Sequence, residues 1–217
     1  MAKRRRVGNM LALALLALLM PGRAMHPYEM AVVLRRTGKE QDMKIKWGSL
    51  YTVVQNLEKH GLIRAVDTAR EGRRPERTRY SLTDEGLAEL QDWIRELVAE
   101  PEKEFPRFEA GLSVVGVLPP DEVIALLERR LRTLDLEIEA ERAGLAQAAE
   151  QVPRVFLIES EYAVAIRGAE ADWIRSLLAE MAGGRLEGMA EWRRWHETGG
   201  APPDWTRLWE DMGMTSD

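Results

Sequence analysis

A cluster of arginines is the clearest chemical feature of this 217-residue sequence. Five arginines lie between residues 70 and 79, at positions 70, 73, 74, 77 and 79. Such closely spaced like charges repel one another unless an anion neutralises them. Gly72 and Pro75 fall in the same stretch, and both residue types are typical of a hairpin tip. We therefore predict a β-hairpin with strands over 62–69 and 77–82, whose Arg73, Arg74 and Arg77 contact phosphate groups.

A helix with one polar face is predicted just before this hairpin, over residues 48–60. At about 100° per residue, Leu50, Val53, Val54 and Leu57 share one side of that helix. The rest of its surface carries hydroxyl, amide and ammonium groups, from Ser49, Tyr51, Thr52, Gln55, Asn56 and Lys59.

Such a polar face suits the major groove of duplex DNA, which admits an α-helix. There, glutamine and asparagine pair with adenine, and lysine pairs with guanine or with phosphate. We predict that this face binds DNA, with Lys46 and Tyr28 as further contacts. The alternatives are that Gln55 and Asn56 are only solvated, and that Tyr51 packs under the hairpin.

Two further helices are needed to support this surface. The apolar run 10–20 follows Lys3-Arg4-Arg5-Arg6, an arrangement that resembles a secretory signal. We interpret the run instead as a buried first helix, because it leads directly into the second helix and is too short to span a bilayer, which needs about 20 residues. The second helix is predicted over 26–36, with Pro27 in its first turn.

The charge distribution supports a polyanionic partner for the N-terminal part. Residues 1–82 contain 17 Lys and Arg and 7 Asp and Glu, a net charge of +10. Residues 83–217 contain 14 and 29, a net charge of −15. One end of the chain is therefore suited to bind nucleic acid.

The sequence offers little for catalysis or for metal binding. It contains no cysteine, which excludes disulfides and thiolate ligands and fits a reducing cytoplasm. Its three histidines, His26, His60 and His196, are far apart in sequence. No nucleophile elbow, phosphate-binding loop or His-Glu-x-x-His motif is present. We therefore predict no enzyme activity, no cofactor and no metal site.

The second half of the chain is predicted to be helical. A helix capped by Thr83 carries Leu87, Leu90, Ile94 and Leu97, and the stretch 101–106 then marks a domain boundary. Residues 108–118 are expected to be helical despite two glycines. A long helix starting at 119–121 follows, and residues 156–181 form another, with Tyr162, Ile166, Ala169, Trp173 and Leu177 along one side.

The long helix carries a heptad seam with a single acidic defect, Glu141. The seam residues proposed to form a dimer interface are Leu127, Leu131, Leu134 and Ile138. They can pack against a partner chain, or within the chain against residues 156–181, and the sequence does not distinguish these alternatives.

The tryptophans provide the candidate walls of a ligand site. Five of the seven follow residue 170, at positions 173, 192, 195, 205 and 209. Flat aromatic walls suit planar apolar or cationic ligands. Trp93 and Trp173 are the candidate effector-binding residues, and core packing or dimer contact is the alternative role for these rings.

Several motifs, in matching order and spacing over residues 9–98, resemble the PadR family of transcriptional regulators. After the apolar run 10–20, they are His26-Pro27-Tyr28-Glu29, Gly48-Ser49-Leu50-Tyr51, Leu57-Glu58-Lys59-His60-Gly61-Leu62-Ile63, Gly72-Arg73-Arg74 and Tyr80-Ser81-Leu82-Thr83-Asp84-Glu85-Gly86. Pro27 replaces the usual glycine and Thr52 the usual proline, and both fit a helix start.

This resemblance implies a mainly α protein in which a winged helix-turn-helix domain, with three helices and a two-stranded wing, precedes an α-helical dimerisation domain. We expect the domains to span 1–98 and 99–217. The resemblance further implies a homodimeric transcription factor, usually a repressor, whose DNA binding is relieved by a small ligand. A two-fold dimer predicts a pseudo-palindromic DNA operator, and the tryptophan walls predict a small aromatic or cationic effector. We expect a cytoplasmic protein without membrane association. The alternative function is a helical interaction protein, secreted or tethered through its apolar N-terminal run.

Overall fold

The chain folds into two compact units, which lie within residues 1–104 and 105–217. The computed structural model describes residues 7–20, 22–39, 43, 45–69, 77–200 and 205–207. Most of these residues are helical, and the sheet among them is one antiparallel strand pair. The prediction of a mainly α fold with a two-stranded hairpin is therefore confirmed.

The apolar N-terminal run forms a buried helix, α1, over Met10–Leu19. The Asn9 side chain caps this helix by accepting a hydrogen bond from the Leu11 N–H at 2.8 Å. Its buried side chains lie on all sides of the helix rather than on one stripe. They are Leu11, Ala12, Leu13, Ala14, Leu15, Leu16 and Leu19. The helix is therefore the centre of the N-terminal core, and the prediction of a buried first helix is confirmed.

The second and third helices pack on this core. Helix α2 spans Pro27–Arg36 and α3 spans Leu50–Lys59, preceded by a short 3₁₀ turn over Trp47–Ser49. The His26 Nδ1 accepts a hydrogen bond from the Tyr28 N–H at 3.1 Å, while the Glu29 side chain accepts one from the His26 N–H at 2.9 Å. These reciprocal bonds fix the start of α2.

A hairpin follows α3 directly. Strand β1 spans Ile63–Ala69 and β2 spans Arg77–Leu82, with an irregular register between Ala65 and Asp67. The chain before α2 adds a short bridge to β2, because Met25 and Tyr80 exchange backbone hydrogen bonds of 3.0 and 2.9 Å. The sequence did not predict this bridge, which joins the hairpin to the start of α2.

Helix α4 spans Asp84–Ala99 and carries a different buried face from the predicted one. Leu90 and Trp93 are buried, whereas Ile94 and Leu97 are exposed. Of the apolar positions predicted for this helix, Leu90 therefore belongs to the core, whereas Ile94 and Leu97 do not. The reason is that Trp93, one residue before Ile94, occupies the core position with its larger ring.

The C-terminal unit is a helical hairpin with smaller helices at one end. Helix α5 spans Arg107–Leu112, α6 spans Pro120–Ala149, α7 spans Ile158–Ala182 and α8 spans Met189–Thr198. The helix predicted over 108–118 is shorter than expected: α5 ends at Leu112, and a 3₁₀ turn follows over Val115–Val117.

The heptad seam of α6 packs within the chain. Leu127, Leu134 and Ile138 are buried, and Leu131 is half-buried against the same core, which α7 completes with Ala171, Ile174 and Met181. The chain's own α7 covers these residues, so they do not present a free seam to a second copy. This corrects the assignment of Leu127, Leu131, Leu134 and Ile138 as a dimer surface, and it is the intrachain alternative that the structure contains.

Candidate nucleic-acid interface

Helix α3 presents the polar face that its sequence predicts. Leu50, Val53, Val54 and Leu57 are all buried in the N-terminal core. The side chains on the opposite side are all exposed, namely Tyr51, Thr52, Gln55, Asn56, Glu58 and Lys59. The buried side chains hold α3 against the N-terminal core, and the polar groups therefore share one exposed side of a rigid helix.

The start of α3 is shaped by a side-chain hydrogen bond. The Ser49 hydroxyl donates to the Lys46 carbonyl oxygen at 2.8 Å, and the Ser49 N–H donates to the same oxygen at 3.1 Å. Lys46 itself is exposed and Ser49 is half-exposed. The Arg35 guanidinium lies 4.4 Å from the centre of the Trp47 ring, so Trp47 connects this turn to α2.

Tyr28 lies close to the hairpin rather than on α3. It is exposed in the first turn of α2, and together with Ala24, Glu29 and Arg79 it lines a surface cavity of about 300 Å³. The Arg79 guanidinium donates a hydrogen bond to the Ala24 carbonyl oxygen. Arg79 therefore has a role in joining β2 to the segment before α2.

The predicted phosphate-binding arginines lie largely outside the described residues. Arg70, Arg73 and Arg74 belong to the stretch 70–76, which the structure does not describe, and Arg77 is described only as the first residue of β2. The last described pair of the two strands is Ala69 with Arg77. The contacts predicted for these arginines therefore remain predictions.

A compact joint connects α3, the hairpin and α4. Gly61 adopts a positive φ of 71° and ends α3, and the Leu62 N–H donates back to the Leu57 carbonyl oxygen at 2.9 Å. The Thr83 hydroxyl accepts from the Gly86 N–H at 3.0 Å and donates to the Gly61 carbonyl oxygen at 2.7 Å.

Gly86 allows the close approach of backbones at this joint. A Cβ atom on Gly86 would lie 1.9 Å from the Leu62 carbonyl oxygen. Only glycine fits there without displacing the backbone. The joint therefore fixes the hairpin relative to α3, and the requirement for glycine became visible only in the structure.

One titratable group at this joint is perturbed. Burial raises the pKa of the Tyr80 hydroxyl above its usual value, and the nearby Glu58 carboxylate raises the pKa further. The phenol is therefore neutral at physiological pH.

The candidate effector residues lie in separate units of the fold. Trp93 is only 3% exposed and lies in the N-terminal core, whereas Trp173 is 47% exposed on α7. The Trp173 ring stands edge-on to Phe108, with ring centres 6.2 Å apart. Their role in effector binding remains a prediction.

The described residues show neither a metal centre nor a membrane span. Over that part of the chain, no group of three or more histidine or carboxylate side chains is arranged to hold a metal ion. Within the same residues, every helix is too short or too polar to cross a membrane.

The N-terminal part of the chain matches a known protein family. Residues 15–92 match the transcriptional regulator PadR-like family. A comparison with curated proteins found no match.

Solved structures share the fold. Bacillus subtilis PadR in complex with operator DNA aligns with a TM-score of 0.65 at 21% identity, covering 79% of this chain and 98% of that one. The same protein in complex with p-coumaric acid gives 0.64 at 20% identity, with 79% and 98% coverage. The Vibrio cholerae virulence activator AphA gives 0.59 at 17% identity, with 80% and 98% coverage.

Proposed function

With residues 15–92 identified as a domain of the PadR-like transcriptional regulator family, we propose that this protein binds duplex DNA sequence-specifically and regulates transcription. The observation that carries the proposal is the exposed polar face of α3, set on a buried apolar face and joined rigidly to a hairpin. A regulator acts where the DNA is, so we assign the protein to the cytoplasm. The proposal involves no catalytic step and no cofactor.

In this proposal, α3 is the recognition helix and enters the major groove. Gln55 and Asn56 are the residues that pair with adenine, and Lys59 contacts guanine or phosphate. Tyr51 and Thr52 lie in the first turn of α3, next to Ser49 and Lys46, and these four residues position the helix against the backbone.

The hairpin is the wing. Its arginines Arg73, Arg74 and Arg77 are proposed to contact phosphates beside the groove, and Tyr28 adds a contact next to the base of the wing. Phosphate contacts fix the register of the protein on DNA, whereas base contacts in the groove determine sequence preference. The two parts of the surface therefore have separable roles.

We propose a homodimer whose interface differs from the one that the heptad pattern predicted. Helix α7 buries Ala171, Ile174 and Met181 within the chain, and this leaves Tyr162 and Ile166 exposed. An apolar stripe thus runs along the outer side of α7, and its exposed members are Tyr162, Ile166, Ala169 and Trp173. Exposed apolar stripes of this kind mark protein interfaces.

A two-fold dimer determines the form of the operator. Two copies of α3 on one face of the duplex would contact half-sites about 34–36 Å apart, and these half-sites would form a pseudo-palindrome. We propose that such a dimer represses transcription and that a small effector releases it. The structure of B. subtilis PadR with p-coumaric acid supports an effector, while AphA, an activator, shows that the fold also serves activation.

The test is a fluorescence anisotropy titration against DNA captured by the protein from its own genome. Affinity should fall steeply with ionic strength, since neutralised phosphates release counterions. Arg73→Ala and Arg74→Ala should weaken all sequences alike and reduce the slope of log K against log salt by about 1 each. Arg132→Ala, which removes an exposed arginine of α6, is the matched control and should leave affinity unchanged.

Base recognition is tested with Gln55→Ala and Asn56→Ala. These variants should relax sequence preference, with a loss of discrimination of about 1–3 kcal/mol at the affected base pair. Unchanged preference in both variants would refute recognition by these amides. Affinity for DNA that does not depend on salt would refute the proposed function as a whole.

A further inference from the structure

The C-terminal unit contains a cavity of about 500 Å³ between α5 and the first half of α6. This volume lies within the range of about 300–1,000 Å³ that is typical of small-molecule sites. Its walls are mainly apolar and include Phe108, Leu112, Val115 and Leu126. The cavity is therefore suited to a ligand with an apolar body.

Polar groups gather along one side of the cavity. Arg129, Arg130 and Thr133 follow Leu126 by one to two turns of α6, and all three line the cavity. None of the described residues that line the cavity carries a carboxylate. The charge at this side is positive, which favours an anionic group on the ligand and disfavours a cationic one.

The two arginines differ in how they are held. The Arg130 guanidinium lies 3.9 Å from the centre of the Phe108 ring, and its Nε donates to a Glu170 carboxylate oxygen at 2.5 Å. Arg130 is therefore fixed as part of the wall. Arg129 is exposed and has no ion-pair partner among the described residues. It is the cation with free capacity to bind a carboxylate.

Helix α8 fixes one side of the cavity. The Trp192 indole N–H contacts the carbonyl oxygens of Gly116 and Leu118 at 3.2 and 3.0 Å, and His196 Nε2 lies 3.0 Å from the Gly116 oxygen. These bonds hold the 3₁₀ turn that places Val115 and Leu118 in the cavity wall. The site is thus preorganised, which lowers the cost of binding.

We propose that this cavity binds an organic carboxylate with an apolar body, and that Arg129 pairs with the carboxylate while Phe108, Leu112 and Leu126 contact the apolar part. The inference rests on the proposed function, because it names the chemical class of the effector. The sequence-based prediction was an aromatic or cationic effector, and the anionic group proposed here departs from its cationic option. The proposed cavity also differs from a site at Trp93 or Trp173. Trp173 is not among the lining residues, although its ring stands edge-on to Phe108, which does line the cavity.

Calorimetric titration of the full chain tests the charge requirement. The probes are octanoate and 3-phenylpropionate, which share the carboxylate but distinguish a chain from a ring, together with octylamine and octanol. Saturable binding of at least one carboxylate, at least about tenfold tighter than that of octylamine and octanol, is the expected result. Absence of saturable binding by both carboxylates would overturn the inference.

Two variants locate the site. Arg129→Glu should weaken carboxylate binding at least about tenfold, whereas Arg132→Glu, an equal charge change at an exposed arginine outside the lining, should not. Gly111→Leu should also weaken binding, because Gly111 lines the cavity and a leucine side chain there would occupy space that the ligand needs. The substitution should be tolerated, since a Cβ atom at this position meets no other atom within 4 Å. Equal binding by wild type, Arg129→Glu and Gly111→Leu would overturn the assignment to this cavity.

The same titrations separate this inference from the proposed function. The carboxylate that binds should change the DNA affinity of the wild type but not that of Arg129→Glu, and an unchanged wild-type affinity would overturn the effector role. If carboxylates bind as described but the ligand-free protein fails to bind DNA, the site stands and the proposed function falls. If the protein binds DNA but neither carboxylate, the proposed function stands and the carboxylate site falls.

Discussion

The two units of this protein differ in the surface that each offers to its proposed partner. The N-terminal unit surrounds the fully apolar α1 with α3 and α4 and exposes the polar side of α3. The C-terminal unit joins α6 and α7 along one seam and exposes an apolar stripe on α7 that includes Tyr162, 68% exposed, and Ile166, 53% exposed. Polar exposed groups suit DNA and exposed apolar groups suit a protein partner, so each unit has the surface that its proposed partner requires.

The units also differ in how they are held together. The N-terminal unit depends on close backbone packing at Gly61, Thr83 and Gly86. The C-terminal hairpin adds ion pairs across its helices, from Arg130 to Glu170, from Arg167 to Glu141 and from Arg175 to Asp135. A single added methyl group should therefore destabilise the first unit strongly, whereas the loss of one ion pair should affect the second only slightly.

The largest expected effect is that of Gly86→Ala. The added Cβ would lie 1.9 Å from the Leu62 carbonyl oxygen, so the backbone must move, and we expect a loss of about 3 kcal/mol or more in the free energy of unfolding. Gly111→Ala is the control in the other unit, because its Cβ meets nothing within 4 Å. It should stabilise helix α5 by up to about 1 kcal/mol. Urea denaturation followed by circular dichroism measures both, and equal stabilities would contradict the contrast.

The second effect concerns the apolar stripe. Ile166→Glu should place a charge in the proposed dimer interface and raise the dimer dissociation constant about a hundredfold, which corresponds to about 2.7 kcal/mol. Val117→Glu introduces the same charge at an exposed apolar residue outside the stripe and should leave the dimer intact. Sedimentation equilibrium distinguishes them. A dimer unaffected by Ile166→Glu would rule out this part of α7 as the interface.

The smallest effect is expected at the acidic defect of the heptad seam. Glu141 accepts a hydrogen bond from Arg167 at 3.2 Å, and both side chains are more than one-third exposed. Glu141→Leu should change the free energy of unfolding by less than about 1 kcal/mol, because a partly exposed ion pair contributes little and the new leucine adds apolar burial. Urea denaturation at low and high salt measures this, and the variant should depend less on salt. A loss above about 3 kcal/mol would show that the pair is essential to the hairpin.

Sequence reasoning predicted the N-terminal unit well because its helices and strands are strongly patterned. The buried set Leu50, Val53, Val54 and Leu57 follows directly from helical spacing. Thr83 was identified as a helix cap from its type and from the acidic residues that follow it. The same rules failed at Ile94 and Leu97, because periodicity alone does not show that the neighbouring Trp93 ring fills the core.

The C-terminal unit was predicted less well because an apolar pattern does not identify its partner. The seam of α6 was compatible with a second chain or with α7, and only the fold shows that α7 covers it. The cavity beside Arg129 also escaped prediction. It depends on residues of α5 and α6 and on the bonds from Trp192 to Gly116 and Leu118, which lie more than 70 positions before it in the chain.

The sequence by itself determined the helices and strands of the N-terminal unit, which side of α3 is polar and where the positive charge is concentrated, because these properties depend on residues close together in the chain. Only the tertiary structure decided that Gly86 must be glycine, that the α6 seam is closed within the chain and that the α7 stripe is left exposed. Those properties depend on which elements far apart in the sequence pack together. The hydrophobic effect has no direction, so an apolar face can pack against several partners, and only the assembled core shows which one it meets.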